Sequence, residues 1–226
     1  MIFVSDLHMG GGGDDDDFSP EAEEAYLRLM EFYKESCHWI IGDGLELWQA
    51  TFEEITVAHT RVFEGWMALP FPGRGHILGN HDLEIPGFER KILTVGYDTG
   101  KSDDRVLLIH GHQFDAANKS GNGLGKYVTQ VVGFLERYVH KDVDDWLDRL
   151  YGIVKKRASE YDQGMADLAK ENDCGIVVYG HTHFPAVKNV DGITVANCGC
   201  WTHRFENGYP YVKIGCNGVV SLKWWE

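Results

Sequence analysis

The chain is short of positive charge. Its 226 residues include 21 Lys and Arg against 35 Asp and Glu, which gives a formal net charge of -14. This balance disfavours a broad nucleic-acid surface and adhesion to an anionic membrane face. Bound divalent cations would offset part of the charge locally, so a phosphate-containing substrate stays open. We therefore expect a small-molecule substrate and no broad nucleic-acid surface.

Paired cysteines and long apolar runs are also missing. The five cysteines are odd in number and form no Cys-x-x-Cys pair, which favours buried reduced thiols over disulfides or a zinc–thiolate site. Cys198 and Cys200 alternate in a strand-like run, which predicts one shared face. No apolar stretch approaches the ~20 residues that a transmembrane helix needs. Met1–Val4 leads directly into the first motif, so we expect no signal peptide and a cytoplasmic protein.

What remains is the composition of a globular protein, 43% hydrophobic and 25% charged, long enough for one domain with a sizeable core. Short apolar runs, typical of buried strands, alternate with amphipathic helical patterns, which predicts an α/β fold. One helix is predicted to begin at Ser19-Pro20-Glu21. A second is predicted from about Phe52 to Met67. His59 lies on its apolar stripe, where we interpret it as a core histidine.

A helical cap insertion is predicted at about residues 116–172, within a single domain that covers the whole chain. Three segments there carry apolar residues at helical spacing, the last from about Ser159 to Glu171. One interpretation packs these helices on each other, on the main domain or on a second subunit of a homo-oligomer. The other lets them line a slot for an apolar substrate group. Beyond the insertion, Asp191-Gly192 and Asn217-Gly218 predict two-residue hairpin turns.

Five polar clusters each follow an apolar run. They are Asp6-Leu7-His8, Gly42-Asp43, Gly79-Asn80-His81-Asp82, His110-Gly111-His112 and Gly180-His181-Thr182-His183. In open α/β sheets ligands collect outside the carboxyl ends of strands, so we expect these clusters to meet. In extended backbone, residues i and i+2 project to the same side, so one metal could take both Asp6 and His8. Taken together, the oxygen and nitrogen donors predict a two-metal hydrolytic site.

The five clusters resemble the motif blocks of the calcineurin-like metallophosphoesterases and occur in that family's order. The resemblance implies an α/β fold, a β-sandwich flanked by helices. It also implies that Asp6, His8 and His183 bind one divalent metal, that Asn80, His110 and His181 bind the other, and that Asp43 bridges them. The implied reaction is hydrolysis of a phosphodiester or phosphomonoester by a bridging hydroxide nucleophile.

The donor set also suggests which metal the site would take and which residues would act on substrate. Histidine, carboxylate and Asn donors suit manganese, iron or zinc rather than calcium, and we take manganese first. His81 is the candidate catalytic acid, because a protonated imidazole would stabilise the transition state or protonate the leaving alkoxide. Its neighbour Asp82 is expected to orient it.

Within the family, the layout is similar to the UDP-2,3-diacylglucosamine pyrophosphatase branch, including Glu46 and Trp48 after the Gly-Asp block. Two positions depart from that branch, which usually has Arg at the position of His81 and Asp at that of His112. These departures favour a general phosphoesterase. A pyrophosphatase acting on a nucleotide-sugar lipid is the alternative, and a non-catalytic metal-binding scaffold of the same fold is a third hypothesis.

Overall fold

The computed structural model describes residues 1–14, 16–70, 73–83, 92–96, 105–114 and 161–226. Within them, strands form two five-stranded sheets. The first has the order β10 (Val220–Trp225), β9 (Tyr209–Ile214), β1 (Ile2–Val4), β2 (His38–Ile41), β3 (Arg74–Ile77). The second has the order β4 (Ile92–Gly96), β5 (Arg105–Ile109), β6 (Ile176–Tyr179), β8 (Ile193–Asn197), β7 (Ala186–Val190). Strands β1, β2 and β3 run parallel in one sheet, as do β5, β6 and β8 in the other.

The two sheets pack face to face. Successive side chains of a strand point to opposite faces, so Phe3 of β1 and Ile41 of β2 join Val106 of β5 and Val178 of β6 in one buried cluster. Val4 points the other way, into a second cluster under the helices. The predicted α/β fold, a sandwich flanked by helices, is therefore confirmed.

Helices cover the outer face of each sheet. The first sheet is covered by α1 (Pro20–Phe32), α2 (Phe52–Ala58) and α3 (Thr60–Ala68). Helix α1 begins as predicted, because the Ser19 side chain accepts a hydrogen bond from the Ala22 amide at 3.2 Å. Residues 161–171 are helical and pack on the second sheet. This is the described part of the predicted third insertion helix; the other two insertion helices lie outside the described residues.

The described helices also bear on whether the chain could cross a membrane. In the part of the chain that the structure describes, no helix has the length and apolar character needed to cross a bilayer.

The single helix predicted from Phe52 to Met67 is wrong, because the chain leaves helical geometry at His59. That residue has φ -110 and ψ 33 and ends α2 while preceding α3. Its ring lies inside, with Nδ1 2.7 Å from Glu23 Oε2 and Nε2 2.9 Å from Asp16 Oδ2. His59 is thus a buried core histidine, as interpreted, and it ties α1 to the Gly- and Asp-rich loop after β1.

One of the two predicted hairpin turns is confirmed and the other is not. Asp191 and Gly192 have φ values of 50 and 88 and join the paired ends of β7 and β8, so that turn is confirmed. Asn217-Gly218 is not a two-residue turn, because β9 and β10 pair only up to Ile214 and Val220. The Asn217 side chain accepts a hydrogen bond from the Val219 amide at 3.2 Å and closes a longer loop.

The cysteines are free thiols as expected, but not all of them are buried and two do not share the predicted face. All are free thiols, two exposed and three buried: Cys37 and Cys216, then Cys174, Cys198 and Cys200. Cys198 lies in the core between the sheets, whereas Cys200 Sγ lies 3.7 Å from His203 Nδ1. The shared face predicted for Cys198 and Cys200 is wrong, because Gly199, with φ 75, turns the chain just past the end of β8.

The His59 contacts generate a prediction about stability. Burial lowers the pKa of His59, but the hydrogen bonds to Asp16 and Glu23 outweigh it and leave the pKa raised. Burial raises the pKa of Asp16, yet the bonds from His59 and from backbone amides leave it lowered. We expect His59→Phe to lower the free energy of unfolding by about 1–3 kcal/mol, because two carboxylates lose a buried donor.

The pH dependence of that loss follows from the directions of the shifts. A raised histidine pKa contributes stability that is full below the unfolded-state value of about 6.5 and is lost as pH rises through the folded value. Denaturant unfolding of both proteins at about pH 5 and about pH 9 should give the larger difference at the lower pH. An equal difference at both would contradict the charged interaction.

Candidate metal centre

The five polar clusters lie at the carboxyl ends of parallel strands. Those after β1, β2 and β3 belong to the first sheet, and those after β5 and β6 belong to the second. Hydrogen bonds join the two sets of loops. The amide of His181 donates to Asp6 Oδ2 at 3.0 Å, and His110 Nδ1 donates to the Ile41 carbonyl at 2.8 Å. The loops of the two sheets are therefore fixed against each other where the clusters meet.

Asp6 is fully buried and stands at the centre of one side of the site. Its Oδ1 lies 3.1 Å from His183 Nε2 and 3.9 Å from the Nε2 atoms of both His8 and His110. Its Oδ2 accepts hydrogen bonds from the Ser5 hydroxyl and from the His181 amide. One oxygen is thus held by the protein, while the other faces the histidines.

Asp43 holds the equivalent place on the other side. Its Oδ1 accepts a hydrogen bond from the His81 amide at 2.8 Å. Its Oδ2 lies 3.0 Å from His110 Nε2 and 4.0 Å from His8 Nε2. Since His8 Nε2 lies 3.9 Å from Asp6 Oδ1 and 4.0 Å from Asp43 Oδ2, this histidine faces both carboxylates.

Among the described residues, three compact groups could hold a metal ion, and within each the ligand atoms lie within 4.8 Å of one another. Two consist of predicted ligands, Asp6, His8 and His183 in one and Asp43, His110 and His181 in the other; the third is His8, Glu46 and His81. Asn80 is 7% exposed, and among the described residues its Oδ1 has no hydrogen-bond partner. Asp6, His8 and His183 thus lie together, while Asp43 groups with His110 and His181; which of these residues bind a metal stays a prediction.

The geometric reason given for the paired donors was wrong. Asp6 and His8 are not on extended backbone, and neither are His181 and His183, since all four have φ between 49 and 67. His181 and His183 lie in different groups, whereas Asp6 and His8 share one. The i, i+2 residues do come together, but left-handed backbone after each strand places them, and not an extended chain.

Backbone strain is concentrated here. Of the seven non-glycine residues with positive φ in the described chain, five are candidate ligands: Asp6, His8, Asp43, His181 and His183. Such conformations cost on the order of 1–3 kcal/mol each and cluster at active sites and ligand clamps. The strain indicates that side-chain placement, and not local backbone preference, determines these loops.

The carboxylates and imidazoles of the site shift one another's pKa values. Burial raises the pKa of Asp43, but His110 and the other nearby histidines outweigh it and hold that pKa well below its usual range. Burial lowers the pKa of His110, but the carboxylates of Asp43 and Asp6 outweigh it and raise it to about 9. Two buried carboxylates thus demand positive charge beside them, which protonated imidazoles or metal cations can supply.

The donor set fits divalent metals. In the described part of the chain, His8 Nε2 and Asn80 Oδ1 are buried without a hydrogen-bond partner, and buried polar atoms normally have one. His110 donates its Nδ1–H to a backbone carbonyl. This leaves Nε2 as the atom that could ligate a metal, the usual arrangement of a metal-binding histidine. Imidazole, carboxylate and amide donors together suit manganese, iron or zinc.

Motif glycines make room for these carboxylates. A Cβ at Gly79 would overlap Asp43 Oδ1, and a Cβ at Gly180 would overlap Ser5 Oγ and Asp6 Oδ2. At Gly42, which has φ 81, a Cβ would overlap the His110 ring. The Gly-Asp, Gly-Asn-His and Gly-His blocks therefore need glycine for close approach, and not only for a turn.

His81 lies beside both groups, but Asp82 does not hold it. The Asp82 carboxylate is fully buried and accepts from the Gly44 and Gly79 amides at 2.8 and 2.6 Å, with His76 Nε2 at 2.7 Å. The carboxylate beside the His81 ring is that of Glu46, with Oε2 2.6 Å from Nδ1. The expectation that Asp82 orients His81 is therefore wrong; Asp82 fixes the turn that carries Asn80.

Glu46 entered the sequence analysis only as part of a family resemblance, without a role at the site. It is 3% exposed, and its Oε2 also lies 2.9 Å from His8 Nδ1. Trp48, two residues later, stacks on the His81 ring at 3.8 Å between centroids. A usable signal was present, since Glu46 stands between two leucines. An acid in an apolar stretch is seldom buried without a partner.

The sequence matches the calcineurin-like phosphoesterase family over residues 1–185, and the chain belongs to that family. A UDP-2,3-diacylglucosamine hydrolase of Blochmanniella pennsylvanica (strain BPEN) is 22% identical over 232 residues, covering 89% of this chain and 88% of that protein.

A solved structure shows the same fold, and a second is similar in sequence over most of its length. A single mutant of Vps29 from Entamoeba histolytica is 14% identical, covers 99% of this chain and 97% of that one, and gives a TM-score of 0.52. Yfce, a phosphoesterase from E. coli, is 18% identical with coverage of 95% and 87% and a TM-score of 0.47. Family membership and the two donor groups together support a metal-dependent phosphoesterase.

The packing of Gly79 on Asp43 generates a prediction. Gly79→Ala should displace the Asp43 carboxylate and reduce bound metal and turnover by at least about tenfold, the scale on which disturbed ligand placement acts. Gly175→Ala is the matched control, because a Cβ there meets nothing within 4 Å. Metal analysis of both proteins after dialysis is the test. Equal metal content in the two variants would show that the space beside Asp43 is not needed.

Proposed function

We propose that the chain is a hydrolase of phosphoesters that works with two divalent metal ions, manganese first among them, with iron and zinc as alternatives. Asp6, His8 and His183 would hold one ion, Asn80, His110 and His181 the other, and Asp43 would bridge them. The observation that carries this proposal is the approach of His8 and His110, through Nε2, to both Asp6 Oδ1 and Asp43 Oδ2.

The chemistry would be divided between the ions and the chain. Bound divalent ions would supply Lewis acidity toward phosphoryl oxygens and toward the attacking water. The chain holds the carboxylates in place, through the His181 amide on Asp6 and the His81 amide on Asp43. These contacts are made before substrate arrives, so little reorganisation remains for the reaction.

His81 is the group proposed to act on the leaving oxygen. Its side chain is 11% exposed, so it borders solvent on the same open side of the site as the more exposed His183. With Nδ1 next to Glu46, Nε2 is the nitrogen left for a substrate. A protonated Nε2 would stabilise charge on the phosphoryl group or donate a proton to the leaving alkoxide.

A nucleotide-sugar lipid is the second candidate substrate. It is supported by the relative named as a UDP-2,3-diacylglucosamine hydrolase, which aligns with nearly the whole chain. The predicted cap that would receive acyl chains lies mostly outside the described residues. The domain assignment, one domain with a cap at about residues 116–172, stays a prediction from helical periodicity.

The function is tested by turnover with manganese on three substrates: bis-p-nitrophenyl phosphate, p-nitrophenyl phosphate and UDP-2,3-diacylglucosamine. We expect hydrolysis of at least one nitrophenyl ester. Asp43→Asn should abolish it and lose at least one metal, because only a carboxylate brings charge and lone pairs to both ions. Asp191→Asn makes the same change on an exposed turn and should leave both unchanged.

Each outcome discriminates between the hypotheses. Hydrolysis of the lipid substrate alone would favour the pyrophosphatase. Stoichiometric metal binding without turnover of any substrate would favour the non-catalytic scaffold. Near-normal turnover by Asp43→Asn with two tightly bound metals would contradict the ligand assignment.

A second test concerns His81. We expect His81→Ala to keep its metals and lose about 10²–10⁴ in kcat, the usual contribution of a general acid or base. If His81 protonates the leaving oxygen, the loss should be larger for an alkyl phosphodiester than for a nitrophenyl ester, whose leaving group needs no proton. Steady-state kinetics on both substrates measures this. A loss that follows only a fall in melting temperature would make His81 a structural loop residue.

A further inference from the structure

One carboxylate outside the donor set touches both the metal-facing part of the site and His81. Glu46 Oε2 lies 2.9 Å from His8 Nδ1 and 2.6 Å from His81 Nδ1. Its other oxygen accepts a hydrogen bond from the Trp48 amide at 3.2 Å, and its own amide donates to the Met9 carbonyl at 2.9 Å. Glu46 is thus fixed at backbone and side chain, and it is buried.

The contact with His8 selects which nitrogen faces the metal site. With Nδ1–H donated to Glu46, the lone pair is on Nε2, the atom 3.9 and 4.0 Å from the Asp6 and Asp43 oxygens. A carboxylate on the far nitrogen is the usual partner of a metal-binding histidine, and it fixes both tautomer and ring orientation.

The same oxygen also contacts His81, as an ion pair at 2.6 Å whose angle does not make a hydrogen bond. Within the described chain, His81 Nδ1 is therefore buried against the carboxylate without a hydrogen-bond partner. Its ring is stacked on Trp48 at 25° between planes and meets the edge of the His8 ring at 4.6 Å. A ring confined by Trp48, His8 and Glu46 can present only its Nε2 edge outward. The orientation of His81 is therefore tied to that of His8 through one atom.

We propose that Glu46 is a positioning residue that aligns His8 with its metal and His81 with the substrate. The inference rests on the proposed function for its catalytic half, but not for its metal-binding half. His8, Glu46 and His81 also form a compact donor group, which gives a rival interpretation as a third metal site. Against it, His8 Nδ1 is already within hydrogen-bond distance of Glu46.

The test uses Glu46→Gln in the full chain, with Glu53→Gln on the exposed first turn of α2 as control. Manganese affinity of the metal-free proteins, measured by competition with a chelating dye, should fall about 10–100-fold for Glu46→Gln, the range seen when such partners are lost. With metal saturating, kcat should fall about tenfold or more while KM changes less than about threefold, as expected for loss of alignment and not of binding. Glu53→Gln should change none of these.

A double mutant separates positioning from general stability. In a His81→Ala background, Glu46→Gln should cost markedly less in kcat than in the wild type, because residues that act as a unit are not additive. Fully additive losses, or unchanged metal affinity in Glu46→Gln, would overturn the proposal. So would a third bound manganese in the wild type that Glu46→Gln abolishes. If the wild type hydrolyses no substrate, the affinity measurement still tests Glu46 while the proposed function fails by itself.

Discussion

The site depends on two buried carboxylates, Asp6 and Asp43, at the edge where the two sheets meet. An unpaired charge in a protein interior is costly, so each carboxylate must be surrounded by donors and positive charge. Backbone amides from two loops satisfy one oxygen of each, and four imidazoles approach the others. The motif glycines, the left-handed turns and the histidine pKa shifts all follow from making room for these two groups and compensating their charge.

The sandwich supplies the rigidity that this arrangement needs. Strands β1, β2, β5 and β6 are buried over their whole length, apart from Arg105 at the start of β5. The ligands follow within a few residues of their ends, so the strained turns are short and anchored by strongly packed elements. Strain of this kind persists only where the surrounding structure over-determines the conformation. Metals would then add their binding free energy to a site whose donors are already assembled.

Much of the fold and of the donor set could be predicted from the sequence, because both depend on residue type and order. Polar side chains that follow apolar runs pointed to Asp6, His8, Asp43 and their neighbours, which the fold brings together. Contacts between residues that are distant in the sequence could not be predicted from it, because they depend on how the elements pack. Asp82 was assigned to its neighbour His81, but its oxygens turn to the Gly44 and Gly79 amides. Likewise His59 interrupts a regular helical pattern because Asp16 and Glu23, far along the chain, bind its ring.

The central claim is that two metal ions share Asp43, and electron paramagnetic resonance of the manganese-loaded wild-type protein tests it directly. Ions about 3.5–4 Å apart, the usual separation in two-metal sites, interact magnetically. The account predicts a spectrum of exchange-coupled manganese at two ions per chain. A spectrum of isolated manganese at that stoichiometry, or saturation at a single ion, would contradict it.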